Sequence, residues 1–194
     1  MTGLWDDTDP RAWTRALAAY PEAVATREVS RLADLDLWYR ETLPGTIAER
    51  TPPHLTHEEL VRVTEWKMKR GTWRARNLAL VRGNAPAEVA RLATEALALI
   101  PDLRKPVARL AQLAGVGPAT ASAVLAAIRP DLYPFFDEDV ARQIPDLGPV
   151  AFTAAYYARY SYHLRERAAA LAAPWTAHAA GLALWAVAGV RRES

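Results

Sequence analysis

Apolar residues recur along this chain at helical spacing, and nowhere do they alternate cleanly at period two. Prolines and capping residues cut the pattern into segments. Asp9-Pro10 opens a helix running to about Ala19, with the proline in its first turn. Thr26 is expected to cap a second helix whose stripe is Val29, Leu32, Leu35, Leu37 and Trp38. Leu43–Pro53, holding Pro44, Gly45, Pro52 and Pro53, reads as the clearest loop. Thr56 and Glu59 spell a capping box ahead of a helix with Leu60, Val63 and Met68, which Gly71 ends. A short helix is expected from Arg74 to Val81, and another from Pro86 to near Pro101. Pro106 sits early in a helix carrying Val107, Leu110 and Leu113, and Pro118 begins one carrying Ala121, Val124, Leu125 and Ile128. After Pro134 a helix starts near Glu138, followed by two long alanine-rich helices. The expectation is an all-α, compact, two-lobed fold of about ten helices with short loops, no repeat and no low-complexity tract.

Composition narrows the function classes. A chain of 194 residues, 51% apolar, suits one domain with a sizeable interior. The absence of cysteine excludes disulfides, zinc–thiolate sites and cysteine-ligated iron–sulfur clusters. The start, MTGLWDDTDP, carries acids and has no basic segment before an apolar run, so no signal peptide is expected. The most apolar stretch, Ala177–Val190, is shorter than the roughly 20 residues of a membrane span and reads as a buried helix. The expectation is therefore a cytoplasmic protein, nucleoid-associated in a bacterium, and monomeric. A net charge of +2 and a pI near 9.0 are compatible with a polyanionic partner without establishing one. Lys67, Lys69 and Lys105 are the only lysines, so a catalytic amine has few candidates. His54, His57, His163 and His178 offer no metal-ligand spacing. No phosphate loop, nucleotide fingerprint or serine elbow is present.

The most informative stretch is Leu103–Arg129, two helices joined by a turn with Gly115 and Gly117 two apart and Pro118 opening the second helix. Glycines permit positive φ and close backbone approach, and the first N–H groups of a helix bind anions. Gly115, Val116, Gly117, Ala119 and Thr120 are thus candidates to contact a DNA phosphate, directly or through a Na⁺ or K⁺ ion on the Leu113–Gly117 backbone. Small residues after the turn (Ala119, Ala121, Ser122, Ala123) let the two helices pack tightly. The plainer alternative is an ordinary turn between two helices. Upstream, Trp66–Arg76 mixes cations and aromatics. Lys69, Arg70, Arg74 and Arg76 are candidate phosphate contacts, and Trp66 and Trp73 candidate stacking or wedge residues. The alternative is a basic helix end with both tryptophans in the core. Tyr156, Tyr157, Tyr160 and Tyr162 lie at helical spacing; Tyr156 and Tyr160 are candidates for a base pocket or for the core.

Three matches make the chain resemble the helix-hairpin-helix DNA glycosylase superfamily, as a divergent member without the iron–sulfur cluster. They are the hairpin Leu113–Ala121; the run Pro134-Phe-Phe-Asp137 followed by Val140-Ala-Arg142; and Gly71-Thr-Trp73 followed by Arg76. The resemblance spans about Glu65–Ile144 and implies one domain over residues 1–194. One lobe would cover about 60–145, with the hairpin at 103–129, and the other 1–59 plus 146–194. It implies that Asp137 is the catalytic carboxylate, stabilising charge on the sugar and positioning water, with duplex DNA as partner and no organic cofactor. Asp137 also stands where a helix N-cap would stand. Bifunctional members carry a lysine just after the hairpin glycines. Ala119 occupies that position here, which implies a monofunctional enzyme that releases a damaged or mismatched base. Glu41, Glu58, Glu59 and Glu65 are candidates for a second acid. Two other readings stay open: a non-catalytic binder of distorted DNA, and a helical protein-interaction module.

Overall fold

The computed structural model describes residues 3–190; residues 1–2 and 191–194, the extremities of the second expected lobe, lie outside it. Among the described residues every regular element is helical. Helix α1 (Pro10–Ala18) is capped by the Asp9 carboxylate, which accepts the Arg11 N–H at 2.9 Å. Helix α2 (Tyr20–Ala25) follows at once. Helix α3 (Leu32–Leu37) then runs through a π-helical stretch, Trp38–Thr42, into α4 (Leu43–Ala48).

Two expectations fail in this region. Thr26 ends α2 instead of opening a helix, because Glu28 and Arg31 adopt positive φ (51° and 64°) and turn the chain. The expected stripe is broken accordingly: Leu32 and Leu35 are buried, Val29 and Leu37 exposed. The expected loop Leu43–Pro53 is helical in its first half. Pro44 lies in the first turn of α4, where no backbone N–H is missed, and Leu43 and Ile47 bury one turn apart. Only residues 49–56 remain irregular.

Helix α5 (His57–Arg70) begins with the capping box: Glu59 N–H donates to Thr56 Oγ1 at 3.3 Å and Thr56 N–H to Glu59 Oε2 at 2.9 Å. Gly71 ends it. Helices α6 (Ala75–Arg82), α7 (Pro86–Leu97) and α8 (Lys105–Leu110) lead into α9 (Pro118–Ile128). The helix expected after Pro134 is a single turn, α10 (Glu138–Ala141), before α11 (Ala154–Leu171) and α12 (Ala177–Val190).

Helix α9 is the centre of the packing. Every residue from Ala119 to Ala127 is buried, with α4, α5 and α8 against it. Alanine and serine dominate it, so neighbouring backbones come close; the Tyr39 hydroxyl reaches Ala123 O at 2.6 Å. Helix α12 packs on α1, α2, α10 and α11 and carries Trp185, fully buried, into one core continuous from Trp13 to Ala186. None of the described helices is long and apolar enough to cross a membrane.

Candidate functional site

A cleft of about 540 Å³ opens where three distant stretches meet. The end of α5 and the loop after it supply Lys67, Thr72 and Arg74; the start of α9 supplies Gly117, Ala119 and Thr120; the third wall is Phe135, Phe136 and Asp137 with the α10 turn, and Phe152 closes one edge.

The wall that carries Asp137 is irregular backbone, and buried backbone outside a helix must find partners for its polar groups. Side chains supply them. Tyr157 donates its hydroxyl to Pro134 O at 3.1 Å, and Tyr160 to Phe135 O at 2.8 Å. Phe135 N–H donates to His178 Nδ1 at 3.3 Å, and Phe136 N–H to Ser122 Oγ at 2.9 Å. Asp137 is therefore delivered by a segment fixed residue by residue. Its Oδ1 accepts the Asp139 N–H at 2.9 Å as the cap of α10, and its Oδ2 accepts Arg70 Nε at 3.2 Å.

Behind Asp137 lies a chain of alternating charge. Arg70, 2% exposed, donates Nη1 to the Tyr20 hydroxyl at 2.5 Å and lies over the Trp185 ring at 4.1 Å. Tyr20 donates to Asp36 Oδ1 at 2.6 Å. Asp36 also accepts Trp66 Nε1 at 3.0 Å and Arg40 Nε at 2.8 Å. Burial opposes charge on Arg70, but Tyr20, Asp137 and Asp36 outweigh it and hold the guanidinium above its ordinary basicity. Burial pushes the Tyr20 phenol upward, keeping it a neutral hydrogen-bonding link.

The cleft brings together Asp137, Gly117, Ala119, Thr120 and Arg74 from the expected set. Others are placed elsewhere. Arg70, expected at a phosphate, is interior because it neutralises Asp137. Trp66, expected to stack or wedge, is fully buried and stacked on Tyr39 at 3.8 Å. Tyr156 and Tyr160 are buried beneath Phe136 and do not line the cleft; phenylalanines 135, 136 and 152 form its apolar faces instead.

Gly115 has φ +77°, and a Cβ there would stand 2.5 Å from Asn77 O, so this glycine packs the turn onto α6. Val116 is buried in the core. Asn84 braces the turn, donating to Ala114 O and accepting the Ala114 N–H, each at 2.9 Å. Of the carbonyls at Leu113–Gly117, Leu113 O accepts the Val116 N–H, Ala114 O the Asn84 amide and Gly117 O the Ala121 N–H. Gly117 faces open space, and the free N–H groups of Ala119 and Thr120 follow it. Of the basic stretch, Arg74 lines the cleft and is exposed; Arg76, Lys69 and Trp73 do not line it, Arg76 being exposed, Lys69 half-buried and 5.7 Å from the Trp73 ring, and Trp73 50% exposed.

Lys67, Glu138, Asp139 and Arg142 also line the cleft; Lys67 stood among the few amines and Arg142 in the Asp137 run, without either having a place at a site. Arg142 pairs with both Glu138 and Asp139, which tempers the acidity beside Asp137. None of the four glutamates considered as a second acid lines the cleft; Glu41, Glu59 and Glu65 pair with Arg40, Arg50 and Arg31. No cluster of metal-ligating side chains occurs among the described residues. Comparison with family models, with curated proteins and with solved structures returns no match.

Proposed function

We propose that this chain is a DNA glycosylase of the helix-hairpin-helix kind, hydrolysing the N-glycosidic bond of a damaged or mismatched base in duplex DNA. One observation carries the reading. Asp137 is held at both carboxylate oxygens on the wall of a cleft that the N-terminus of α9 also lines. Its volume, about 540 Å³, lies in the range that accepts a nucleoside. A phosphate oxygen on the Ala119 and Thr120 N–H groups would anchor the backbone, with Arg74, Arg76 and Lys69 adding charge around it. The extruded base would lie against Phe135, Phe136 or Phe152. Positive charge building on the sugar would then face Asp137, which stabilises it and orients the attacking water.

The test is base release from duplexes that each carry one lesion or mismatch, with abasic sites revealed by alkali. Wild type is expected to release at least one base. Asp137→Asn is expected to lower that rate by about a hundredfold or more while retaining DNA affinity. The double engagement of Asp137, by Arg70 and as a helix cap, favours a second reading, a binder of distorted DNA in which this residue is only structural. That reading predicts affinity for distorted duplexes with no release from any of them.

A further inference from the structure

Most of the charged side chains that line the cleft are already matched. Asp137 is paired with Arg70 behind it, and Glu138 and Asp139 with Arg142. Lys67 and Arg74 are left, neither side chain in an ion pair or a hydrogen bond among the described residues. Arg74 is exposed, where a backbone phosphate meets it. Lys67 is half-buried on the last turn of α5, near enough to Asp137 for the two charges to interact. Burial, and next the Arg74 guanidinium, lower its pKa against the pull of Asp137, as for a charge short of water and of a counter-ion. The phenylalanine faces of the cleft accept any flat ring and discriminate little. An ammonium discriminates well, because it has three donors, no acceptor and a full positive charge.

Resting on the glycosylase reading, we propose that Lys67 is the specificity-determining residue of the cleft, selecting uncharged bases that carry a ring carbonyl, as deaminated and oxidised bases do, against cationic N-alkylated purines. The two classes leave the sugar differently. A cationic alkylated purine enters with its charge and keeps part of it in the transition state, so Lys67 repels it throughout. An uncharged base departs with the glycosidic electron pair, and negative charge flows onto its carbonyl oxygen. A Lys67 N–H donated to that oxygen strengthens as the charge develops, which lowers the barrier as well as favouring binding. In the full step the C1′–N bond breaks with both electrons going to the base, and the water oxygen bonds to C1′. Asp137 takes the proton of that water and returns it to solvent, from which the departing base anion is protonated. Lys67 keeps its own proton.

The experiment measures kcat/KM for base release, corrected for spontaneous loss. One set of duplexes carries a single uracil, hypoxanthine or 8-oxoguanine; a second carries N7-methylguanine or N3-methyladenine; a third carries adenine mispaired with guanine. Wild type is expected to release at least one base of the first set faster than any of the others. Lys67→Met, which keeps the apolar stem and removes the charge, should shrink that preference about tenfold or more, whereas a merely structural defect would slow all sets alike. Lys67→Arg, which keeps the charge, should retain the preference, and Lys105→Met, at an exposed partner of Asp102 outside the cleft, should leave it unchanged. A wild-type preference for the methylated purines or for mispaired adenine, or a preference undiminished in Lys67→Met, overturns the assignment and leaves the glycosylase reading standing. No release from any duplex removes that reading, and the inference with it.

Discussion

Arg70 shows how a single side chain can be both misread and readable. It closes a run of basic residues at a helix end, which resembles a solvated, phosphate-binding face. Yet Val63, Trp66 and Arg70 follow one another at helical spacing, and the first two are fully buried. Extending that stripe by one step puts Arg70 inside, where only a carboxylate elsewhere in the chain can accompany it. Asp137 is that carboxylate, and the sequence singled it out through the run Pro134–Asp137 that carries the resemblance and as a helix cap. Their pairing was not legible, because residues so far apart in sequence carry no mutual signal. Replacing Arg70 with Met should destabilise the fold by about 3–5 kcal/mol, since Asp137 and the Tyr20 hydroxyl would lose their shared partner. Urea unfolding monitored by tryptophan fluorescence measures it. A cost below about 1 kcal/mol would mean that the pair contributes little, as for exposed ion pairs.

At the scale of elements, the turn before α9 divides its labour between two glycines. Gly115 needs its positive φ and has backbone and side chains of α6 where a Cβ would go, while Gly117 has extended φ and open space. Gly115→Ala should therefore lower the melting temperature clearly, by more than the roughly 1 kcal/mol that glycine-to-alanine changes move at compatible sites. Gly117→Ala should melt within a degree or two of wild type, and a bulky acidic Gly117→Asp should weaken DNA binding in a salt-dependent assay. Equal stability losses at both positions would contradict this division. The sequence announced the turn because both glycines share its spelling; which one contacts the protein depends on α6, far upstream. Helix α4 was hidden for a related reason. Proline and glycine in Leu43–Ala48 suggest a loop, although Pro44 occupies the one turn of a helix that tolerates it. The box at Thr56 and Glu59 was legible because capping is local chemistry, and Thr56→Ala should cost about 1 kcal/mol in the same unfolding assay.

At the scale of the whole molecule, the cleft depends on residues that never touch it. His178, from α12, accepts the Phe135 N–H on Nδ1 while its Nε2 is buried without a hydrogen-bond partner. Burial, reinforced by Arg70, lowers its pKa to about 3. An imidazole near 6.5 when unfolded and about 3 when folded binds its proton more readily in the unfolded chain. Its contribution to stability is complete above about pH 6.5 and is lost as pH falls toward 3. Melting temperature should thus decline more steeply over that interval for wild type than for His178→Gln, and parallel declines would refute the assignment. The all-helical class was legible because helical periodicity repeats over every segment. The partnership of α12 with the Asp137 wall was not, since an evenly apolar helix records burial without recording what covers it. That partnership governs the order of events during synthesis. Every residue lining the cleft has been polymerised by Phe152, but Trp185 beneath Arg70 and His178 behind Phe135 come later. A growing chain that has not yet delivered α12 from the ribosome holds all of its reactive groups and no finished place to use them.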